Sequence, residues 1–210
     1  MGGNMSRMKL LLVLSTTILC AAQEVPPAPT AKTLEPGIVK FLEQKGDFCL
    51  GKFVWPIVVT QRDRAVATND ALQMPVLERL GVVASVQAKN EPSTTVYALT
   101  EQGQNFYLRR PVVTHGVLDE AVLRPGDLCV ARLTLDKVVA WQLAPAGEGA
   151  PQVTVKYTYQ VSSSAPWASD AEFQKVFPLI GKVLRGGGEF QLEQALSWLN
   201  GAWVPVTDIK

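Results

Sequence analysis

The heptad Gly46-Asp47-Phe48-Cys49-Leu50-Gly51-Lys52 returns as Gly126-Asp127-Leu128-Cys129-Val130-Ala131-Arg132, and Val58-Val59 returns at the same offset as Val138-Val139. Two copies at one spacing divide the chain into two related halves. Within the copies the residues alternate as strands do: Cys49, Gly51, Phe53 and Trp55 share one face of the first, and Cys129, Ala131, Leu133 and Leu135 one face of the second. Both cysteines thus point toward apolar surroundings, and two states are open to them. In an oxidising compartment the pair can form a single disulfide that joins the halves and stabilises by about 3 to 5 kcal/mol through the long loop it closes. The alternative is two buried thiols that pack as small hydrophobes, since cysteines at equivalent repeat positions need not lie near each other. A catalytic redox pair is disfavoured, because the chain has no Cys-x-x-Cys spacing.

The compartment is read from the start of the chain. Arg7 and Lys9 precede the apolar run Leu10 to Leu19, and small residues follow at Ala21 and Ala22. This is the layout of a secretory signal peptide spanning residues 1–22, cut after Ala22. The run is too short to span a bilayer, which takes roughly twenty apolar residues. A lipid anchor on Cys20 competes with simple cleavage, but Leu19 is bulkier than the small residue a lipobox carries before its cysteine. Cleavage leaves 18 basic and 19 acidic side chains of the original 20 and 19, so no basic surplus remains to neutralise phosphates and no nucleic-acid partner is expected. The pairs Arg109-Arg110 and Arg62 with Arg64 read as solvated surface. With no transmembrane segment left after cleavage, the expected location is the periplasm.

Residues 23–32 are a proline-rich linker. Leu34, Ile38, Phe41 and Leu42 then recur at helical spacing, which predicts a helix from about Glu35 to Lys45 with Pro36 in its first turn and Gly46 at its end. Strands are predicted over Phe53 to Thr60 and Leu128 to Leu143. The clearest strand is Gln152 to Val161, where Val153, Val155, Tyr157, Tyr159 and Val161 alternate with polar residues. A helix carrying Phe173, Val176 and Phe177 breaks near Pro178 and resumes through Leu184. A closing hairpin turns at Asn200-Gly201, a type I′ pair.

Between the repeats, Leu77, Leu80, Gly81, Val82 and Val83, followed by Tyr97, Leu99, Thr100 and Gly103, resemble the helix-and-wing part of winged-helix regulators of the MarR and PadR kind. The resemblance covers about forty residues and implies a two-stranded wing, Val82 to Val86 with Thr95 to Leu99. Two departures separate it from a DNA reader. Met74-Pro75 interrupts the would-be recognition helix, and the wing loop carries Lys89 beside Glu91, with no arginine for a minor groove. In addition, the strand Tyr157 to Val161 followed by Ala165 to Ala168, together with Phe48 to Lys52, is similar to a family of exported Gram-negative proteins associated with carbapenem biosynthesis and intrinsic resistance. That resemblance implies a periplasmic, non-enzymatic protein and supplies no catalytic motif.

Other chemistries find little footing. One histidine and three cysteines exclude histidine-rich metal sites, zinc ribbons and iron–sulfur clusters, so no metal and no cofactor is expected. A hydrolase would have to recruit His115, Asp119 and a serine such as Ser164, with no nucleophile elbow around it. Glu24, Asp47, Asp127 and Asp136 fall at turns or strand ends, where acids commonly cap and solvate. The expected fold is α+β: a winged-helix-like half over residues 33–108, packed on a C-terminal half over residues 109–210 built from an antiparallel sheet and one helix. The expected function is binding of an unknown periplasmic protein or small ligand, with Trp55, Trp167, Trp198 and Trp203 as the candidate interaction surface. A DNA-binding regulator, cytoplasmic or membrane-tethered, is the alternative reading, and a small hydrolase the third.

Overall fold

A computed structural model describes residues 26–116, 119–145 and 150–206. In chain order the elements are α1 (Ala31–Lys45), β1 (Asp47–Cys49), β2 (Ile57–Val59), α2 (Gln61–Ala65), α3 (Asn69–Arg79), β3 (Val83–Ala88), β4 (Glu91–Leu99), α4 (Glu101–Gln104), β5 (Tyr107–Leu108), β6 (Val112–His115), β7 (Ala121–Arg124), β8 (Asp127–Leu143), β9 (Gln152–Ser164), α5 (Ala171–Val176), α6 (Pro178–Arg185), β10 (Gln191–Leu199) and β11 (Ala202–Pro205). The fold is mixed, richer in strand than in helix, and its sheets are antiparallel. The expected leader, Cys20 and Glu24 lie outside the described residues.

The larger sheet runs β1-β8-β9-β10-β11, with β5 added on β8. Strand β9 keeps the alternation of its sequence: Val153, Val155, Tyr157 and Tyr159 are buried, while Gln152, Thr154, Lys156 and Gln160 are exposed. Thr158 breaks the pattern. It is buried and donates to Asp136 Oδ2 at 2.7 Å. The β8–β9 register shifts between Leu135 and Lys137 and again between Val138 and Ala140, and such bulges bend a strand. The sheet curls into a half-barrel, and α1 packs against β8 and β11 with Leu34, Ile38 and Leu42 buried. The hairpin from β10 to β11 turns at Asn200 and Gly201 with φ of 52° and 78°, as a type I′ pair requires.

Helix α1 starts earlier than its apolar spacing predicts. Thr30 and Thr33 form a reciprocal capping box, Thr30 N to Thr33 Oγ1 at 2.9 Å and Thr33 N to Thr30 Oγ1 at 3.2 Å. The helix therefore opens within the stretch read as linker, and Pro36 lies inside it rather than in its first turn.

The smaller sheet has the order β2-β4-β3. Val59, Tyr97 and Val83 face Met74 and Leu77 of α3 in one core, which α5 and α6 complete with Phe173, Phe177 and Ile180. Helices are thus exchanged: α1 fills the half-barrel, and the two late helices close the core under the early sheet. Two expectations fail here. The stretch read as a strand from Phe53 to Thr60 is strand only at Ile57–Val59, after a cis Trp55-Pro56 bond, and a short helix α2 comes next, capped by Thr60 and Asp63. Pro75 does not interrupt α3. It sits on the exposed side while Met74 and Leu77 are wholly buried, and that packing outweighs the backbone hydrogen bond a mid-helix proline removes. Gly81, at φ +73°, ends the helix. Thr100 donates to Gly81 O at 2.6 Å and accepts from Gly103 N at 3.0 Å, which ties the end of α3 to α4.

Candidate functional site

The two copies of the heptad lie side by side. β1 pairs antiparallel with β8, Asp47 opposite Arg132, Phe48 opposite Ala131 and Cys49 opposite Cys129, and the two Sγ atoms are 2.05 Å apart in a disulfide. Each aspartate engages the last residue of the other copy. Asp127 accepts from Lys52 N at 2.7 Å and from Gly51 N at 3.3 Å, and Asp47 Oδ1 accepts from Arg132 Nη1 at 2.8 Å. Asp127 is buried, and desolvation pushes its carboxyl above the usual range despite hydrogen bonds from Lys52, Gly51 and Leu128 N–H groups. The Lys52 ammonium pairs with Asp70 in the first turn of α3. Both copies open with glycine because another chain segment comes close: a Cβ at Gly46 would meet Leu133 O at 2.6 Å, and one at Gly126 would meet the Tyr107 ring at 2.9 Å.

Beside the disulfide is an open groove of about 380 Å³. It arises because one edge of β8 changes partners: β5 pairs at Asp127 and Leu128, whereas β9 pairs from Ala131 onward. The segments around the groove are Cys129–Arg132 from β8, Asn105–Arg109 around β5 and Ser163–Ala165 at the end of β9, with Asp47 alongside. Two guanidinium groups hold one carboxylate, and a third stands on the opposite wall. Arg132 bonds Asp47 and also donates to Glu43 O at 3.0 Å, Arg110 reaches Asp47 Oδ2 at 2.8 Å, and Arg109 donates to Gln104 and stands 6.0 Å from the Tyr107 ring centroid. Among the described residues, the side chains of Asn105, Ser163 and Ser164 have no hydrogen-bond partner in the protein.

The tryptophans expected to form an interaction surface are placed otherwise. Trp167 and Trp203 are 5% and 4% exposed and belong to the two cores, and Trp55 and Trp198 pack against those cores. All four indole N–H groups are buried without a protein partner. The reason is area: in a chain this size the two cores need their largest apolar side chains inside. The exposed tryptophan is Trp141 at 40%, near Val139 and Leu143 at the end of β8. The arginines read as solvated pairs are also engaged, Arg109 at the groove, Arg110 with Asp47, and Arg64 with Ser93 O and Thr95.

His115 lies 3.0 Å from Asp119, both exposed on and beyond the β6 end of a two-stranded hairpin. Ser164 lines the groove instead, and His115 does not. Asp136 is held below the usual carboxylate range by Thr158 and Gln160. Among the described residues no three histidine, cysteine or acidic side chains gather as a metal site, and no helix is long and apolar enough to cross a membrane. Sequence reading missed the groove because its parts come from distant segments. One signal was present: in both copies the second residue is acidic and the seventh basic, the pattern that antiparallel pairing turns into cross-copy contacts. No family model, curated protein or solved structure matches the chain.

Proposed function

We propose that the protein is an exported binding protein that acts by contact rather than by a chemical step, with the groove beside the disulfide as its ligand site. The observation that carries this reading is the Cys49–Cys129 bond, which ties the groove floor to the first repeat. Such bonds persist in oxidising compartments, which agrees with the signal-peptide layout of residues 1–22. The groove has the size of a small-ligand site and mixes apolar walls with a few polar groups.

The order β2-α2-α3-β3-β4, with β4 central in its sheet, supports reading this part as a winged-helix-like unit. We read that unit as framework. Helix α3, which would enter a DNA groove, is packed on α5: Gln73 Nε2 donates to Val176 O at 3.1 Å, and Arg79 pairs with Asp170 at 2.6 Å. Its exposed positions include Leu72 and Pro75, which offer no phosphate or base contact.

Intact mass of the chain recovered from a periplasmic extract, alkylated with and without prior reduction, tests the reading. The expected species starts at Gln23 and alkylates at Cys49 and Cys129 only after reduction. A full-length chain found solely in cytoplasm with free thiols overturns export and returns the winged-helix unit to DNA.

A further inference from the structure

We propose that the groove beside the disulfide recognises a small organic carboxylate, its charge held by Arg109 and Arg132 and its apolar body against Phe106 and Leu108. This rests on reading the protein as a binding module and names the ligand class of that site. The polar half of the argument is a count of donors. A guanidinium has five N–H donors. Arg132 spends one on Asp47 and one on Glu43 O, and Arg109 spends one on Gln104. Both are therefore anchored in place with donors still to give. Asn105, Ser163 and Ser164 add uncommitted donors from the other walls, and Arg110 offsets the charge of Asp47.

The apolar half decides between anions. A bare phosphate would leave the half-buried Phe106 and Leu108 surfaces wet, whereas a carboxylate on an apolar ring covers them and matches the planar fork of arginine. A second open groove, about 470 Å³ between α1 and β11, supplies one cation, Lys40, and no comparable anchored set.

The test uses the full oxidised chain, titrated with benzoate, benzamide and inorganic phosphate while backbone amide shifts are followed by NMR. Benzoate is expected to shift amides of residues 105–109, 129–132 and 163–165 and to saturate, with benzamide and phosphate at least about tenfold weaker. Arg109 is exposed and bonded only through Gln104 and the Tyr107 ring, so Arg109→Gln should keep the wild-type thermal midpoint and lose about tenfold in benzoate affinity. Arg109→Lys should recover part of it. Benzamide or phosphate binding as well as benzoate, shifts confined to other residues, or an unchanged affinity in Arg109→Gln would each overturn the carboxylate assignment. The periplasmic mass measurement is independent of these outcomes, so the ligand class can fall while the exported module stands.

Discussion

The first copy of the heptad gives a three-residue strand and then leaves regular structure; the second opens β8, at 17 residues the longest strand among the described residues. The residues immediately after each copy decide between these outcomes. Phe53-Val54-Trp55-Pro56 ends in a residue with no N–H for a ladder, whereas Leu133 to Leu143 continues in residues that a sheet accepts. The aspartates diverge with the strands. Asp127 is buried and accepts backbone N–H groups, while Asp47 stays half-buried and accepts guanidinium groups. Equivalent sequence thus supplies the pairing and the disulfide, and context turns one aspartate into a structural acceptor and the other into an electrostatic one.

The disulfide is what the copies share, and its loss should have the largest effect. Closing a loop of 80 residues stabilises by about 4.5 kcal/mol through the entropy removed from the unfolded chain. The double variant Cys49→Ser with Cys129→Ser should lower the urea midpoint accordingly. A loss under about 1 kcal/mol would mean that the β1–β8 ladder and the two aspartates hold the copies together without it.

Next comes Asp127→Asn. An amide turns one acceptor into a donor facing Gly51 or Lys52 N–H, and a buried donor left unsatisfied costs about 1 to 3 kcal/mol. Urea unfolding of this variant measures the cost. A change no larger than that of an exposed substitution would erase the distinction between the copies.

Legibility in the sequence depends on whether a feature is local. The strand β9 and the Asn200-Gly201 turn each depend on residues within a few positions, and both are legible in the sequence. The start of α1 and the existence of α2 were local too, signalled by Thr30 with Thr33 and by Thr60 with Asp63, but proline-rich and β-branched neighbours masked those caps. Pro75 misled because its cost is local while the burial of Met74 and Leu77 that offsets it comes from α5, β3 and β2. The groove was the least legible part, since Arg109, Arg132 and Ser164 meet only after β8 changes partners. The burial of Trp167 and Trp203 likewise depends on the helix exchange between the halves.

A pH titration of stability sharpens the comparison with a smaller effect. Asp63, Asp136 and Asp170 sit below their usual 3.8, held first by Thr60, by Thr158 and by Arg79 respectively. Groups lowered in the folded state contribute stability in full above 3.8, and it is lost as pH falls through their folded values. Asp127 has the opposite sign. Its carboxyl is raised, so the folded state takes up that proton first and gains stability as pH falls toward 3.8. Asp127→Asn lacks this gain, and its deficit relative to wild type should widen over that window. A deficit constant with pH would mean that Asp127 is not desolvated.

The smallest effect is expected at Asp47. Its partners Arg110 and Arg132 are 44% and 38% exposed, and pairs of that kind contribute about 0 to 1 kcal/mol each, less as salt screens them. Asp47→Asn keeps a carbonyl that one arginine can still donate to, so it should cost about 1 kcal/mol or less, and that cost should shrink between low and high ionic strength in urea unfolding. Asp127→Asn should show a weaker salt dependence, because its hydrogen bonds come from backbone N–H groups rather than from charged side chains. A salt-independent loss at Asp47 equal to that at Asp127 would make the two aspartates equivalent after all, and the asymmetry would then belong to the strands alone.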